Sequence, residues 1–298
     1  MRLIQGTEET FSGLVPTELR QHDPKRTRLE ILPDGSRYFG FQSRFDFHIS
    51  RDSKAIVGLS LDNEPQAAFK TYMLGHLLSH ILLAFGIETI HAACLVVNGE
   101  AVAILGDSAR GKSTLAAAFL REGDILLSDD FLVLQQRGGS YIAYPGFPRI
   151  KLYERVSKHL LPDDSQGTPM NQHHCPKFVY PLEDIVREPV PLRAFYALPN
   201  PKSVVSLQHV RIDALTQREA YLELTENSFN VRDKTPKRLT SQFEWATELV
   251  KRVPVKRLSY PRVLSVLPEV IAAVKEDLAA YDDESRKALP SILPTRTP

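Results

Sequence analysis

The chain has 298 residues, 43% of them hydrophobic and 24% charged, with a formal net charge of +1. That length and composition describe a globular protein with a sizeable buried core, and the charge balance excludes the global basic field that draws nucleic acid or anionic lipid. Two cysteines, Cys94 and Cys175, make no disulfide framework, which fits a reducing compartment.

The opening MRLIQGTEETFSG lacks the apolar core and small-residue cleavage site of a signal peptide. The most apolar helical stretch, Met73 to Phe85, is broken by His76, Ser79 and His80 and is too short to span a bilayer. The expected location is cytoplasmic, with neither membrane nor nucleic acid as a partner. Residues 1–65 read as short strands and turns, a small β-rich N-terminal layer. Within it, Arg37 to Ser50 partly alternates apolar and polar, as a half-buried strand does, and Ile56 to Leu61 is a second strand candidate. From Pro65 to Phe85 the period becomes helical: Phe69, Tyr72, Met73, Leu77, Ile81 and Leu82 fall on one stripe, and Gly86 stands where a helix C-cap is expected.

A hairpin comes next. His91 to Val97 and Ala101 to Leu105 are apolar runs flanking Asn98-Gly99, and both turn residues tolerate the positive φ that a two-residue hairpin turn requires. The second run leads into GDSARGKST. Ser113 to Arg121 is helix-periodic, and Asp124 to Leu127 is a strand ending in Ser128-Asp129-Asp130. Phe131 to Gln135 and Tyr141 to Tyr144 form another hairpin around Arg137-Gly138-Gly139-Ser140. Beyond it, Leu152 to Leu160 is a helix candidate and Asp163 to Pro176 reads as a mobile loop. Leu192 to Leu198 and Val204 to Val210 resemble strands. Ala214 to Glu226, Arg238 to Lys251 and Val263 to Leu278 resemble helices, and residues 283–298 read as a flexible tail.

The chemistry-bearing segment is Gly106-Asp107-Ser108-Ala109-Arg110-Gly111-Lys112-Ser113-Thr114, which matches the phosphate-binding pattern G-x4-G-K-[ST]. Gly106 permits the tight turn after the strand, and the backbone N–H groups of residues 107–112 form an anion nest. Gly111 allows close approach, and the following helix points its positive end at the phosphates. Lys112 sets a cation against the β- and γ-oxygens of ATP, and Ser113 offers a hard oxygen to Mg²⁺. An apolar strand ending in Asp129-Asp130 is the Walker-B arrangement, here unusually close behind the P-loop.

At these residues the chain resembles the catalytic domain of HPr kinase/phosphorylase. The resemblance rests on a strand opening with His91-Ala92, a P-loop entered from a hairpin, and a double Asp ending the next strand. It covers about residues 86–150 and implies an α/β P-loop kinase fold of the HPr kinase/phosphoenolpyruvate carboxykinase type, with antiparallel strands in the sheet and a catalytic domain over 66–282. The segment Tyr144 to Lys151 departs from the family's own signature after the double Asp. The whole chain, including Arg257-Leu258-Ser259-Tyr260-Pro261-Arg262, is more similar to the HPr-kinase-like proteins of ribosomal-peptide biosynthesis, among them the lasso-peptide kinases.

What this resemblance implies is an ATP- and Mg²⁺-dependent serine kinase whose acceptor is a peptide, such as the C-terminal serine of a lasso-peptide precursor, or a protein. It gives Asp129 the role of general base and Asp130 a place in the metal shell with Ser113, though the residue chemistry admits the exchange of the two acids. It sets His91 beside the Asp pair as a third catalytic group with Lys112, and Arg149 against phosphate or acceptor; an oligomer is in keeping with the family. A small-molecule kinase, for example on free serine, and a nucleotide-gated binding protein without transfer are the competing readings. His76 and His80, at i and i+4, are read as helix packing, and His173-His174-Cys175 lacks the further ligands a zinc site needs.

Overall fold

A computed structural model describes residues 2–20, 27–41, 44–61, 69–70, 72–170, 177–204, 207–229 and 235–287. They form a mixed α/β protein of two compact units. One comprises residues 1–86 and 166–179, the other 87–165 and 180–298.

The first unit is built on strands β1 (Arg2–Gln5), β2 (Thr27–Ile31), β3 (Arg37–Phe41), β4 (Phe45–Ile49) and β5 (Ala55–Ser60), in the order β1-β5-β4-β3-β2. β1 runs parallel to β5 and the other pairs are antiparallel. The alternating Arg37 to Ser50 stretch is therefore two strands, not one. Phe39, Phe41, Phe45, Phe47 and Ile49 share one face and pack with Leu77 and Ile81 from the π-wound turn α2 (Met73–Leu77) and helix α3 (Leu78–Ala84). The other face buries Tyr38 with Phe11 of helix α1 (Glu8–Ser12). There the Tyr38 hydroxyl donates to Asp46 Oδ1 at 2.8 Å and Arg20 Nε to Oδ2 at 3.2 Å, so the fully buried carboxylate keeps its partners. The predicted helix stripe thus covers the N-terminal sheet, and the unit extends to Gly86 rather than stopping at residue 65. Phe85 is the C-cap of α3, and Gly86 after it has φ 75°, the left-handed value that glycine supplies at a helix end. His76 stacks on Phe41, and the His80 ring meets Phe39 at a tilt, in line with a packing role. Within the stretch read as a loop, the short β13 (Thr168–Pro169) belongs to this unit and pairs with Phe178 and Val179 of β14 (Lys177–Pro181).

The second unit carries β6 (Thr89–Ile90), β7 (Ala92–Val97), β8 (Glu100–Leu105), helix α4 (Lys112–Arg121), β9 (Ile125–Ser128), β10 (Leu132–Arg137), β11 (Ser140–Tyr144), β12 (Arg149–Tyr153) and helix α5 (Glu154–Leu160). After these come β15 (Val190–Ala197), β16 (Arg211–Ala214), helices α6 (Gln217–Glu226) and α7 (Pro236–Arg252), β17 (Val255–Ser259) and helix α8 (Leu267–Lys287). Strands pair in the order β6-β10-β11-β15-β8-β7-β9, with β17 and then β16 added to β15. β8 is antiparallel to β7 but parallel to β15, which is parallel to β17.

Asn98 and Gly99 take φ 52° and 86°, the two positive values that close β7 onto β8. Every residue from Ala101 to Leu105 is buried, which explains the unbroken apolar run. Helix α4 packs across β7 and buries Ala116, Ala117 and Ala118; side chains this small let helix and sheet approach closely. Arg238 of α7 makes a bidentate ion pair with the equally buried Glu88, two contacts of 2.8 Å that seat the helix beside β6. Of the strand expected over 204–210, the described residues form none: Val204 closes a 3-10 turn that begins at Pro201, and the next strand starts at Arg211. Among the described residues no helix is long and apolar enough to cross a membrane. Residues 288–298, most of the expected tail, lie outside the described residues, as does His173-His174-Cys175.

Candidate active site

The sheet polarity brings three separate segments to one edge. β8 ends at Leu105 and gives way to the Gly106–Thr114 turn. β9 ends at Ser128 and gives way to Asp129-Asp130. β7, antiparallel to both, begins there just after His91.

In the turn, Gly106 and Gly111 have φ 145° and 96°, values that suit glycine. Gly111 is the N-cap of α4, so the helix starts at Lys112 with its free N–H groups toward the loop. Lys112 is 95% shielded from solvent, and its Nζ donates to the Gly106 carbonyl at 2.6 Å and to the Asp107 carbonyl at 3.3 Å. The ammonium is held within the curl of the loop, where an anion would meet it. Asp107, Ser108 and Ala109 are exposed, Arg110 pairs with Asp107, and Thr114 is half-buried.

Asp129 is engaged on both oxygens. Ser113 Oγ donates to Oδ1 at 3.0 Å, and the Lys151 backbone N–H donates to Oδ2 at 3.0 Å. Asp130 turns elsewhere, with a left-handed φ of 67°, a region that Asp reaches more readily than most L-residues. Its Oδ1 lies 3.3 Å from His91 Nε2, and its Oδ2 forms an ion pair with Lys151 Nζ. The turn before it is braced by Ser128, whose hydroxyl donates to the Phe131 carbonyl. Gly146 lies so close that a Cβ there would stand 2.5 Å from Ser128 Oγ. Arg149 is half-buried; burial lowers its pKa and the Asp129 charge opposes this, while its guanidinium lies 5.8 Å from the Phe147 ring centre.

Four residues that motif reading did not single out complete the site. Lys151 is one. Asn227, 4% exposed, accepts the Gly106 N–H on Oδ1 at 2.9 Å and the His91 N–H on its carbonyl at 2.7 Å, tying the loop to the histidine. Phe229 stands beside His91 with ring centres 5.6 Å apart. Arg262 donates from Nη1 to the Arg110 carbonyl at 3.1 Å and from Nη2 to the Pro199 carbonyl at 3.1 Å, with its guanidinium 4.3 Å over Tyr260. Burial raises the Tyr260 hydroxyl pKa, and the nearby Arg262 opposes the rise. Burial likewise raises the Glu223 carboxyl, with Arg110 the main opposing charge. The cue available for Arg262 was its place in the 257–262 segment; Asn227, in the turn after a helix, carried none.

Asn227→Ala should strand the buried Gly106 N–H and destabilise the protein by about 1–3 kcal/mol, the cost of an unpaired buried donor. Chemical denaturation would measure it, and unchanged stability would show that the loop finds another partner.

Among the described residues no three His, Cys, Asp or Glu side chains cluster as a metal cage. Mg²⁺ does not need one: it keeps several waters and binds through one or two protein oxygens plus substrate phosphates. The Ser113 hydroxyl and Asp129 carboxylate, side by side at the P-loop, fit that demand.

Neither a protein-family model nor a curated protein sequence matches the chain. Among solved structures it is similar to the HPr(Ser) kinase/phosphatase from Coxiella burnetii, with 15% identity over 65% of this chain and 98% of that one, at a TM-score of 0.37. A likeness that loose assigns neither fold family nor activity, so the functional reading stands on the site itself.

Proposed function

We propose that the protein is an ATP-dependent kinase that transfers the γ-phosphate to a hydroxyl, with a serine of a peptide or protein as acceptor. The observation that carries the reading is the 3.0 Å Ser113–Asp129 hydrogen bond, which couples the phosphate loop to an acidic pair at the same sheet edge. A glycine turn without a ligand needs neither a buried lysine curled into it nor two acids facing it.

The geometry favours exchanging the roles first expected of the two acids. Asp129, already beside Ser113, would hold Mg²⁺ with that hydroxyl, and the metal supplies charge neutralisation at the β- and γ-oxygens when bound. Lys112, released from the loop carbonyls, meets the same oxygens. Asp130 faces His91 and Lys151, and it accepts the proton of the acceptor hydroxyl. The serine oxygen bonds to the γ-phosphorus, the bond from that phosphorus to the β,γ-bridging oxygen breaks with its electron pair leaving on ADP, and the hydroxyl proton passes to Asp130. His91 orients the carboxylate. Lys151 neutralises charge beside it, and Arg149, on the same strand, is the group we assign to phosphate or acceptor.

The acceptor is tested with Mg-ATP and a panel of short serine-containing peptides, with free serine and an HPr-like protein alongside, read by mass spectrometry. The expected product is one phosphate on a peptide serine, lost when that serine is replaced by alanine, since no nucleophile remains. Phosphorylation of free serine alone would make this a small-molecule kinase, and nucleotide binding with no transfer to any acceptor would make it a nucleotide-gated module.

A further inference from the structure

On the side of the P-loop away from the acids lies an open cleft of about 330 Å³. Pro199 and Leu207 give it apolar surface; Ser203, Asp213, Arg211 and Arg257 give it polar groups. Its position follows from the sheet. Across the edge the order is β16, β17, β15, β8, β7, β9, so the cleft at the ends of β15 and β17 and the P-loop's acids flank β8 on opposite sides. Parallel β8, β15 and β17 all end here, and the crevice outside such carboxyl ends is where open α/β sheets bind ligands.

We infer that this cleft holds the base and ribose of the nucleotide whose phosphates the P-loop takes. The inference rests on the P-loop reading above. A triphosphate with its γ-phosphate at Asp129 and Asp130 runs across the loop, so its nucleoside end leaves toward β15. The wall there is continuous with the loop. Arg110 Nη1 donates to the Leu198 carbonyl at 3.2 Å, and Arg262 joins the Arg110 carbonyl to that of Pro199, which itself lines the cleft. The volume lies at the lower end of the range for small-molecule sites, about 300–1,000 Å³. The chemistry matches as well. Pro199 and Leu207 suit the faces of a purine, the Asp213 carboxylate accepts from amino or ribose hydroxyl donors, and Arg211 and Arg257 donate to ring acceptors. Asp213 is paired with Arg211 at 2.9 Å, and Arg257 lies 3.5 Å from Glu219 at the solvent-exposed rim.

The test compares Mg-ATP with Mg-tripolyphosphate, a probe with the phosphates and no nucleoside, by calorimetry on the full chain. Ser203→Trp fills the cleft from an exposed position and should lower ATP affinity about tenfold or more while leaving tripolyphosphate affinity unchanged. Asp213→Asn, a near-isosteric change, should weaken ATP in the same selective way. Lys112→Ala should weaken both probes. If both cleft variants bind ATP as the wild type does while Lys112→Ala still loses it, the nucleoside lies elsewhere and the P-loop reading stands. Equal loss of both probes in the cleft variants overturns the assignment too. A wild-type chain that binds neither probe overturns the P-loop reading and this inference together.

Discussion

Asp130→Asn should lower phosphate transfer by about 10² or more and leave Mg-ATP affinity near the wild-type value, because the amide keeps the shape of the side chain but takes no proton. The residue sits at φ 67°, which asparagine tolerates as well as aspartate does, so the turn survives the change. Asp129→Asn should behave differently. Its oxygens accept from Ser113 and from the Lys151 backbone, and an amide presents one acceptor where the carboxylate presents two. The expected result is a raised Mg²⁺ requirement, together with some loss of order at the strand end. Single-turnover transfer and Mg²⁺ titration on the two variants separate the roles. If Asp129→Asn abolishes transfer with normal nucleotide and Mg²⁺ affinity while Asp130→Asn only raises the Mg²⁺ requirement, the base is Asp129.

The second large effect belongs to Lys112. Its ammonium is buried and held at 2.6 Å by the Gly106 carbonyl, so it waits inside the loop rather than in solvent. Lys112→Ala should weaken Mg-ATP binding at least about tenfold, or about 1.4 kcal/mol, through loss of a charge-assisted contact in a shielded cradle. Calorimetry gives the affinity and a thermal melt shows whether the loop still folds. Full affinity in a folded Lys112→Ala protein would remove the P-loop from any account of function.

Electrostatics around the loop make that loss hard to replace. Arg262 and Arg110 are both near, but the Nη groups of Arg262 donate to the carbonyls of Arg110 and Pro199, and those of Arg110 to the Leu198 carbonyl and to Asp107. Lys151 stands on the far side, paired with Asp130. Among the described residues, Lys112 is the cation whose donors face the inside of the turn.

Sequence alone determined what depends on a few adjacent residues. The Asn98-Gly99 turn, the glycines at 106 and 111, the apolar β8 strand and the α4 helix were all legible, because positive φ, strand burial and helix starts are set by local sterics and periodicity. The acidic end of β9 was legible for the same reason. Helix and strand bounds elsewhere shifted by a few residues, and Val204 to Val210, for all its strand-like residues, shows no strand among the described ones. Only the tertiary structure decided which acid faces Ser113, since Asp129 and Asp130 are adjacent and their directions follow from the left-handed turn at 130 and the packing of β12 beside it. It also decided that Asn227 reaches Gly106 across 121 residues and Arg262 reaches Arg110 across 152. Contacts at such separations leave no periodic trace in the chain. They arise when the sheet order places β8 between β15 and β7, and the ends of strands far apart in sequence become neighbours at one edge.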